Sequence, residues 1–160
     1  MLNSLQVMVF GLSDINQNIF YMENSGKKLK IAVLEDSSFY NKIICKKLDY
    51  YTKLLADAKG FKYEIESYAH FDDFLRNLKA DTNIVFLDYY LGEGVTAIDV
   101  MNVIQKKCAD CKIVIISQSS NPFTAEKTIN NGAAAFIYKD KDALEKSCYF
   151  VEEFTNVNFS

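Results

Sequence analysis

From about residue 29 the hydrophobic positions follow two alternating periods. Short runs are apolar throughout or alternate with polar residues. Longer runs repeat apolar residues every three or four positions, the mark of a helix with one buried face. KLKIAVLED predicts a first strand. SSFYNKIICKKLDYYTKLLADAKG predicts a long helix with an apolar stripe at Ile43, Ile44, Leu48, Tyr51, Leu54 and Leu55, capped by Ser37 or Ser38 and closed by Gly60. FKYEIESY alternates as a second strand, and HFDDFLRNLK reads as a short helix. NIVFLD is a third strand, followed by a helix in TAIDVMNVIQKK, apolar at Ile98, Val100, Met101, Val103 and Ile104. KIVIIS predicts a fourth strand. NPFTAEKTINNG is punctuated as a helix, with Asn121 as cap, Pro122 at the first helical position and Gly132 past the end. AAFIYK is a fifth strand and DALEKSCYFVEEF a closing helix.

Strands that alternate with helices in this way imply a parallel sheet with helices on both sides, a doubly wound α/β fold. The third and fourth strands are continuously apolar, as a sheet covered on both faces requires. Residues 1–28 lie outside the pattern. LQVMVF alternates like an extra edge strand, NQNIFYMENSGKK reads as a polar linker, and Met22 offers an alternative start. An ordered arm, a partner-binding arm and a loose tail all remain open for this extension. The expected domain is 29–155, with 156–160 as a tail.

Composition narrows the function classes. A chain of 160 residues, 49% hydrophobic and 24% charged, suits one domain with an ordinary core. The net charge of −3 gives no argument for nucleic acid. Lys27, Lys28 and Lys30 read as a solvated loop. No stretch approaches the roughly 20 apolar residues of a membrane span, and the N-terminus lacks the charged start and apolar core of a secretory signal. A cytosolic protein is expected. Of four cysteines, Cys108 and Cys111 form a CADC pair. That pair falls between a helix and the next strand and has no second pair to complete a zinc site, so reduced thiols are expected.

Ligands of open parallel sheets bind outside the carboxyl ends of the strands. The first strand ends in Glu35 and Asp36, the third in Asp88, the fourth in Ser117 and the fifth in Lys139. Each alone has a structural explanation as a cap, a turn residue or a surface lysine. Together they place three carboxylates, a hydroxyl and an ammonium on one rim. Crowded carboxylates are costly to ionise unless a cation joins them. Mg²⁺, which takes a few carboxylates, waters and a phosphate oxygen, is the natural partner. An Asp beside such a cation stays ionised and can attack phosphorus, with Ser117 and Lys139 meeting the remaining charge.

The stretches IAVLEDSS, IVFLDYYLGEG, IVIISQSS and NNGAAAFIYKD, in that order, span nearly the whole predicted domain. Over about 29–155 the chain resembles the receiver domain of two-component response regulators. The resemblance implies a flavodoxin-like, five-stranded parallel sheet flanked by five helices, with strand order 2-1-3-4-5. It implies Mg²⁺ binding by Glu35, Asp36 and Asp88 with the backbone carbonyl of Tyr90. It makes Asp88 the phosphoacceptor, Ser117 the hydroxyl that meets the phosphoryl group, Lys139 its ion-pairing partner and Phe136 the switch aromatic. Tyr90 and Ser119 correspond to positions that tune how long the phosphoryl group lasts. Tyr90 is either a screen against water or an ordinary half-exposed residue.

The chain departs from the common pattern in three places. Asp140 replaces the Pro after the lysine, so a trans bond is expected there, a non-proline cis bond costing roughly 3 kcal/mol. Gly92 replaces the usual Pro four residues after the acceptor, for a looser loop. Phe136 replaces a frequent Tyr and has no hydroxyl to donate. The implied function is a phosphorylation switch, fed by a histidine kinase or phosphotransfer protein and signalling to a downstream protein through the fourth helix, fifth strand and fifth helix. The chain ends about five residues after the expected last helix, which predicts a single-domain regulator or relay intermediate, with no enzymatic activity beyond its own phosphorylation and dephosphorylation. A pseudo-receiver that binds proteins without phosphate is the alternative. A phosphatase of the haloacid dehalogenase type would need a second Asp where Tyr90 stands. A dinucleotide fold would need GxGxxG where LEDSSF stands.

Overall fold

The computed structural model describes residue 24 and residues 26–159. The readings made for LQVMVF, the polar linker and Met22 lie outside the described residues. The elements are β1 (Lys28–Leu34), α1 (Ser38–Lys59), β2 (Lys62–Tyr68), α2 (Phe71–Asn77), β3 (Ile84–Asp88), α3 (Ala97–Lys107), β4 (Lys112–Ser117), α4 (Pro122–Asn130), β5 (Ala135–Tyr138) and α5 (Ala143–Asn158). All the strand pairings are parallel, in the order β2-β1-β3-β4-β5. This is the expected doubly wound sheet with five flanking helices. Among the described residues no helix is long and apolar enough to cross a membrane.

The period-two character of the strands splits the core into two layers. Leu29, Ile31 and Val33 of β1, Ile84 and Phe86 of β3, and Val114 and Ile116 of β4 pack with α1 and α5. Ala32 and Leu34, Val85 and Leu87, and Ile113 and Ile115 face the other way, with α2 and α3. All five residues of β3 are buried, as a central strand covered on both faces must be. Asp88 continues the Ile84–Phe86 alternation, so burial of the strand fixes where its carboxylate emerges.

Local chemistry explains the element ends. Ser37 accepts from the Tyr40 N–H at 3.3 Å and caps α1, which Gly60 closes at φ 76°. Asn121 accepts from the Phe123 N–H at 3.0 Å ahead of Pro122 in α4. The buried stripe of α1 is Ile44, Leu48, Thr52 and Ala56, each four residues apart. Leu54, expected on that stripe, is half-exposed, as is Val103 on α3. At four-residue spacing the face turned to the sheet passes through Thr52 and Ala56 and leaves Leu54 outside.

The two ends of the described chain meet at one corner. α5 runs to Asn158, and Phe159 after it is buried against Phe61, ring centroids 4.6 Å apart. The Asn24 amide donates to the carbonyls of Phe159 at 2.8 Å and Lys59 at 3.2 Å, tying residue 24 to this corner. Lys28 and Lys30, expected in a solvated loop, stand on β1 and pair with Glu64 and Asp81.

Candidate functional site

The carboxyl ends of β1, β3 and β5 bring Glu35, Asp88 and Lys139 together in a nearly water-free cluster. Their side chains are 4%, 8% and 6% exposed. The Lys139 ammonium lies 2.6 Å from Glu35 Oε2 and 3.1 Å from Asp88 Oδ1. Glu35 Oε1 accepts from the Ser37 N–H at 3.0 Å, so both oxygens of this carboxylate are engaged. Asn41, on the first turn of α1, donates to the carbonyls of Glu35 and Tyr68 and pins the β1–α1 corner. Asp36 is exposed at the mouth. A pocket opens over the cluster, lined by Glu35, Asp36, Ser37, Asp88, Tyr90, Gln118 and Lys139.

Three carboxylates against one ammonium leave the pocket short of positive charge. Carboxylate oxygens of Glu35, Asp36 and Asp88 all lie within 4.8 Å of one another. Burial, then the nearby Glu35 carboxylate, push Asp88 up to about 7, although Lys139 opposes the shift. An all-oxygen donor set with uncompensated charge suits a hard divalent cation. Among the described residues none donates a hydrogen bond to the Tyr90 carbonyl. Tyr90 forms an antiparallel bridge with Thr96, but the bonds are made by its neighbours: Tyr89 accepts from Ala97 at 2.8 Å and Leu91 donates to Val95 at 3.0 Å. In such a pair the central residue's own polar groups point away from the bridge.

The loop after β3 explains the missing proline. Gly92 has φ 80°, Glu93 55° and Gly94 77°. Proline is locked near −65°, so this left-handed turn excludes it at 92. The loop is not loose as expected from Gly92, because the Tyr90–Thr96 bridge and a Val95 N–H to Gly92 carbonyl bond at 2.9 Å close it. The Lys139–Asp140 bond is trans.

The remaining site residues divide. Ser117 is fully buried at the end of β4, and its hydroxyl accepts from the Ser119 N–H at 3.0 Å. Its carbonyl accepts from the Lys139 N–H at 2.7 Å. The Ser117 side chain therefore sits beside the cluster with its oxygen turned into its own loop. Ser119 is 3.3 Å from the Thr124 hydroxyl and lies outside the pocket lining, whereas Tyr90 lines the pocket and is 54% exposed, its ring edge-on to Tyr89. Phe136 is half-buried on β5. Gln118 and Tyr40 carried no sequence signal. Gln118 lines the pocket, and the Tyr40 ring centroid lies 4.4 Å from the Lys139 ammonium. Cys108 donates to the Thr82 carbonyl at 3.0 Å, and burial together with Cys108 pushes the Cys111 thiol up to about 12. That shift holds Cys111 away from the thiolate that metal or redox chemistry needs.

No family model and no curated protein matches the chain. Solved structures do. The BeF3-activated receiver domain of DrrB, a Thermotoga maritima response regulator, superposes with a TM-score of 0.66 at 19% identity, over 81% of this chain and 99% of that one. The signal receiver domain of a LuxO repressor protein from Vibrio parahaemolyticus gives 0.65 at 16% identity, over 82% and 94%. The fold is that of response regulator receiver domains. A Burkholderia pseudomallei response regulator with a phosphorylated aspartic acid, calcium ion and citrate gives 0.58 at 14% identity, over 81% and 74%. At these identities the receiver fold is the shared property, and the chemistry rests on this chain's own rim.

Proposed function

We propose that the protein is a phosphorylation-dependent signalling switch that takes a phosphoryl group on Asp88. One observation supports this above the others: a buried carboxylate at the end of the central strand, short of positive charge, with an open pocket in front of it. Glu35, Asp36, Asp88 and the Tyr90 carbonyl would hold Mg²⁺. That ion would neutralise the rim and polarise the incoming phosphoryl group. An Asp88 oxygen attacks the donor's phosphorus, the bond from phosphorus to the donor breaks, and an acyl phosphate remains. Lys139 is already within reach of Asp88 and is placed to pair with the new charge. The Ser117 hydroxyl accepts from the Ser119 N–H and keeps its own O–H to donate to a phosphoryl oxygen. That new bond, made by a side chain already tied to the Ser119 N–H, would pull on the β4–α4 loop.

The phosphate source is a histidine kinase or a phosphotransfer protein, and the readout is a downstream protein. The α4–β5–α5 side is the proposed signalling face. It is joined to the rim through the Ser117–Lys139 backbone bond and carries exposed Phe123, Ile129 and Tyr138. Tyr90 stands at the pocket mouth, where its ring would screen the acyl phosphate from water. The test is mass analysis after incubation with a small phosphodonor and Mg²⁺. One added phosphoryl group on the parent and none on Asp88→Asn is the expected result. No addition under conditions that modify a control receiver would replace this reading with a phosphate-independent pseudo-receiver.

A further inference from the structure

The Lys139 ammonium is held from three sides. Two are carboxylates, Glu35 at 2.6 Å and Asp88 at 3.1 Å. The third is the ring of Tyr40, from the first turn of α1, with its centroid at 4.4 Å. That distance, with Lys139 only 6% exposed, is a desolvated cation–π contact. Tyr40 is itself half-buried against the α1–α5 core layer, so its ring is fixed by packing. Among the described residues its buried hydroxyl has no hydrogen-bond partner, so no polar contact there accounts for a tyrosine.

The three holds respond differently to the proposed chemistry, on which this inference rests. A divalent cation competes with Lys139 for Glu35 and Asp88, and phosphorylation converts the Asp88 carboxylate into an acyl phosphate, a mixed anhydride. The ring has no charge to be recruited, so it is the one contact that persists through the reaction. We infer that Tyr40 is a positioning residue for phosphoryl transfer, its ring face holding the Lys139 ammonium over Asp88 while the carboxylates change partners. An aliphatic residue of similar bulk would fill the space and leave the ammonium free to swing away.

The experiment follows phosphorylation by a small phosphodonor with Mg²⁺ in the full chain. Tyr40→Leu is expected to slow it by about thirtyfold, the size of a desolvated cation–π contact. Tyr40→Phe, which keeps the ring, is expected to restore the rate. Fluorinated phenylalanines at position 40 keep the shape and drain the ring face of negative charge, so the rate should fall stepwise with fluorination. A flat fluorination series, or a Tyr40→Phe rate as slow as Tyr40→Leu, overturns the role of the ring. If the parent takes no phosphoryl group, the switch reading fails by itself. The contact is then read by NMR from the Lys139 ε-methylene protons, which should show an upfield ring-current shift in the parent and Tyr40→Phe that is lost in Tyr40→Leu. Absence of that shift in the parent overturns the inference independently.

Discussion

Two groups of lysines and carboxylates stand on the same sheet and behave in opposite ways. Around the β1–β2 edge, Lys28, Lys30 and Lys79 pair with Glu64, Glu66 and Asp81, one cation for each anion, at side-chain exposures from 21% to 67%. At the rim, among the described residues, Lys139 alone serves Glu35 and Asp88 with Asp36 beside them, and the paired side chains are under a tenth exposed. At the edge the lysines hold Glu64 and Asp81 below the ordinary carboxylate range. At the rim burial and Glu35 overcome the same kind of lysine and drive Asp88 up to about 7. The residue types are shared. What differs is the count of charges and the loss of water. The edge satisfies itself, whereas the rim is complete only when a proton or another cation joins it.

The strongest way to break this contrast is to remove the rim's one ammonium. In Lys139→Met, Glu35 and Asp88 would be buried without a cation. Loss of one partner of a buried pair costs about 3–5 kcal/mol. Chemical denaturation without divalent ions at pH 8 should show a loss of this order, smaller at pH 5 as Asp88 protonates. A Lys139→Met protein as stable as the parent at pH 8 would mean that the rim carboxylates are not desolvated.

A divalent cation should do the reverse. Binding to the folded state alone stabilises by about 2.7 kcal/mol at a hundredfold excess over Kd. Mg²⁺ titrations followed by thermal unfolding should raise the Tm of the parent and have much less effect on Asp88→Asn. Equal gains in both proteins would place the cation elsewhere.

Asp88→Asn alone is expected to have a smaller, pH-dependent effect. The folded pKa of about 7 lies above that of a free aspartate, about 3.9. The folded state therefore holds the proton more tightly, and its stability is fully present below about 4 and falls as pH rises through 7. Asparagine has no such loss. Without divalent ions, Asp88→Asn should exceed the parent at pH 8 by on the order of 1–3 kcal/mol, and the gap should close toward pH 5. A gap that widens on acidification would reverse the assigned shift.

Much of this was legible in the chain before folding. The order of strands and helices could be read because parallel strands covered on both faces must be apolar throughout, and IVFLD and KIVIIS are. The positions of Glu35, Asp88 and Lys139 followed from the ends of such strands. What the chain hid were features made by turns and by contact through space. Gly92 signals freedom in sequence, but the left-handed φ that excludes proline belongs to a loop closed by the Tyr90–Thr96 bridge. Ser117 reads as a rim hydroxyl, yet it is fully buried and accepts from the N–H two residues on. Tyr40 looks like any aromatic in a helix, because the lysine it faces is 99 positions away in the chain.

The smallest effect belongs to the edge, and it decides whether the contrast holds. Lys79 pairs with Glu64 at 3.3 Å and with Glu66, and its side chain is 45% exposed. Water already solvates all three groups, so removing the ammonium returns two carboxylates to solvent rather than stranding them. Glu64 would still have Lys28. Lys79→Ala should lower the Tm by under about 2 °C at pH 8, and added salt should erase even that. The shift should also lack the change between pH 8 and pH 5 expected of Lys139→Met, since Glu64 is held below the ordinary carboxylate range and stays ionised across that interval. A Lys79→Ala loss that matches Lys139→Met, or that shrinks with it on acidification, would show that desolvation does not separate the two groups. The excess negative charge at the rim would then cease to support binding of a divalent cation there.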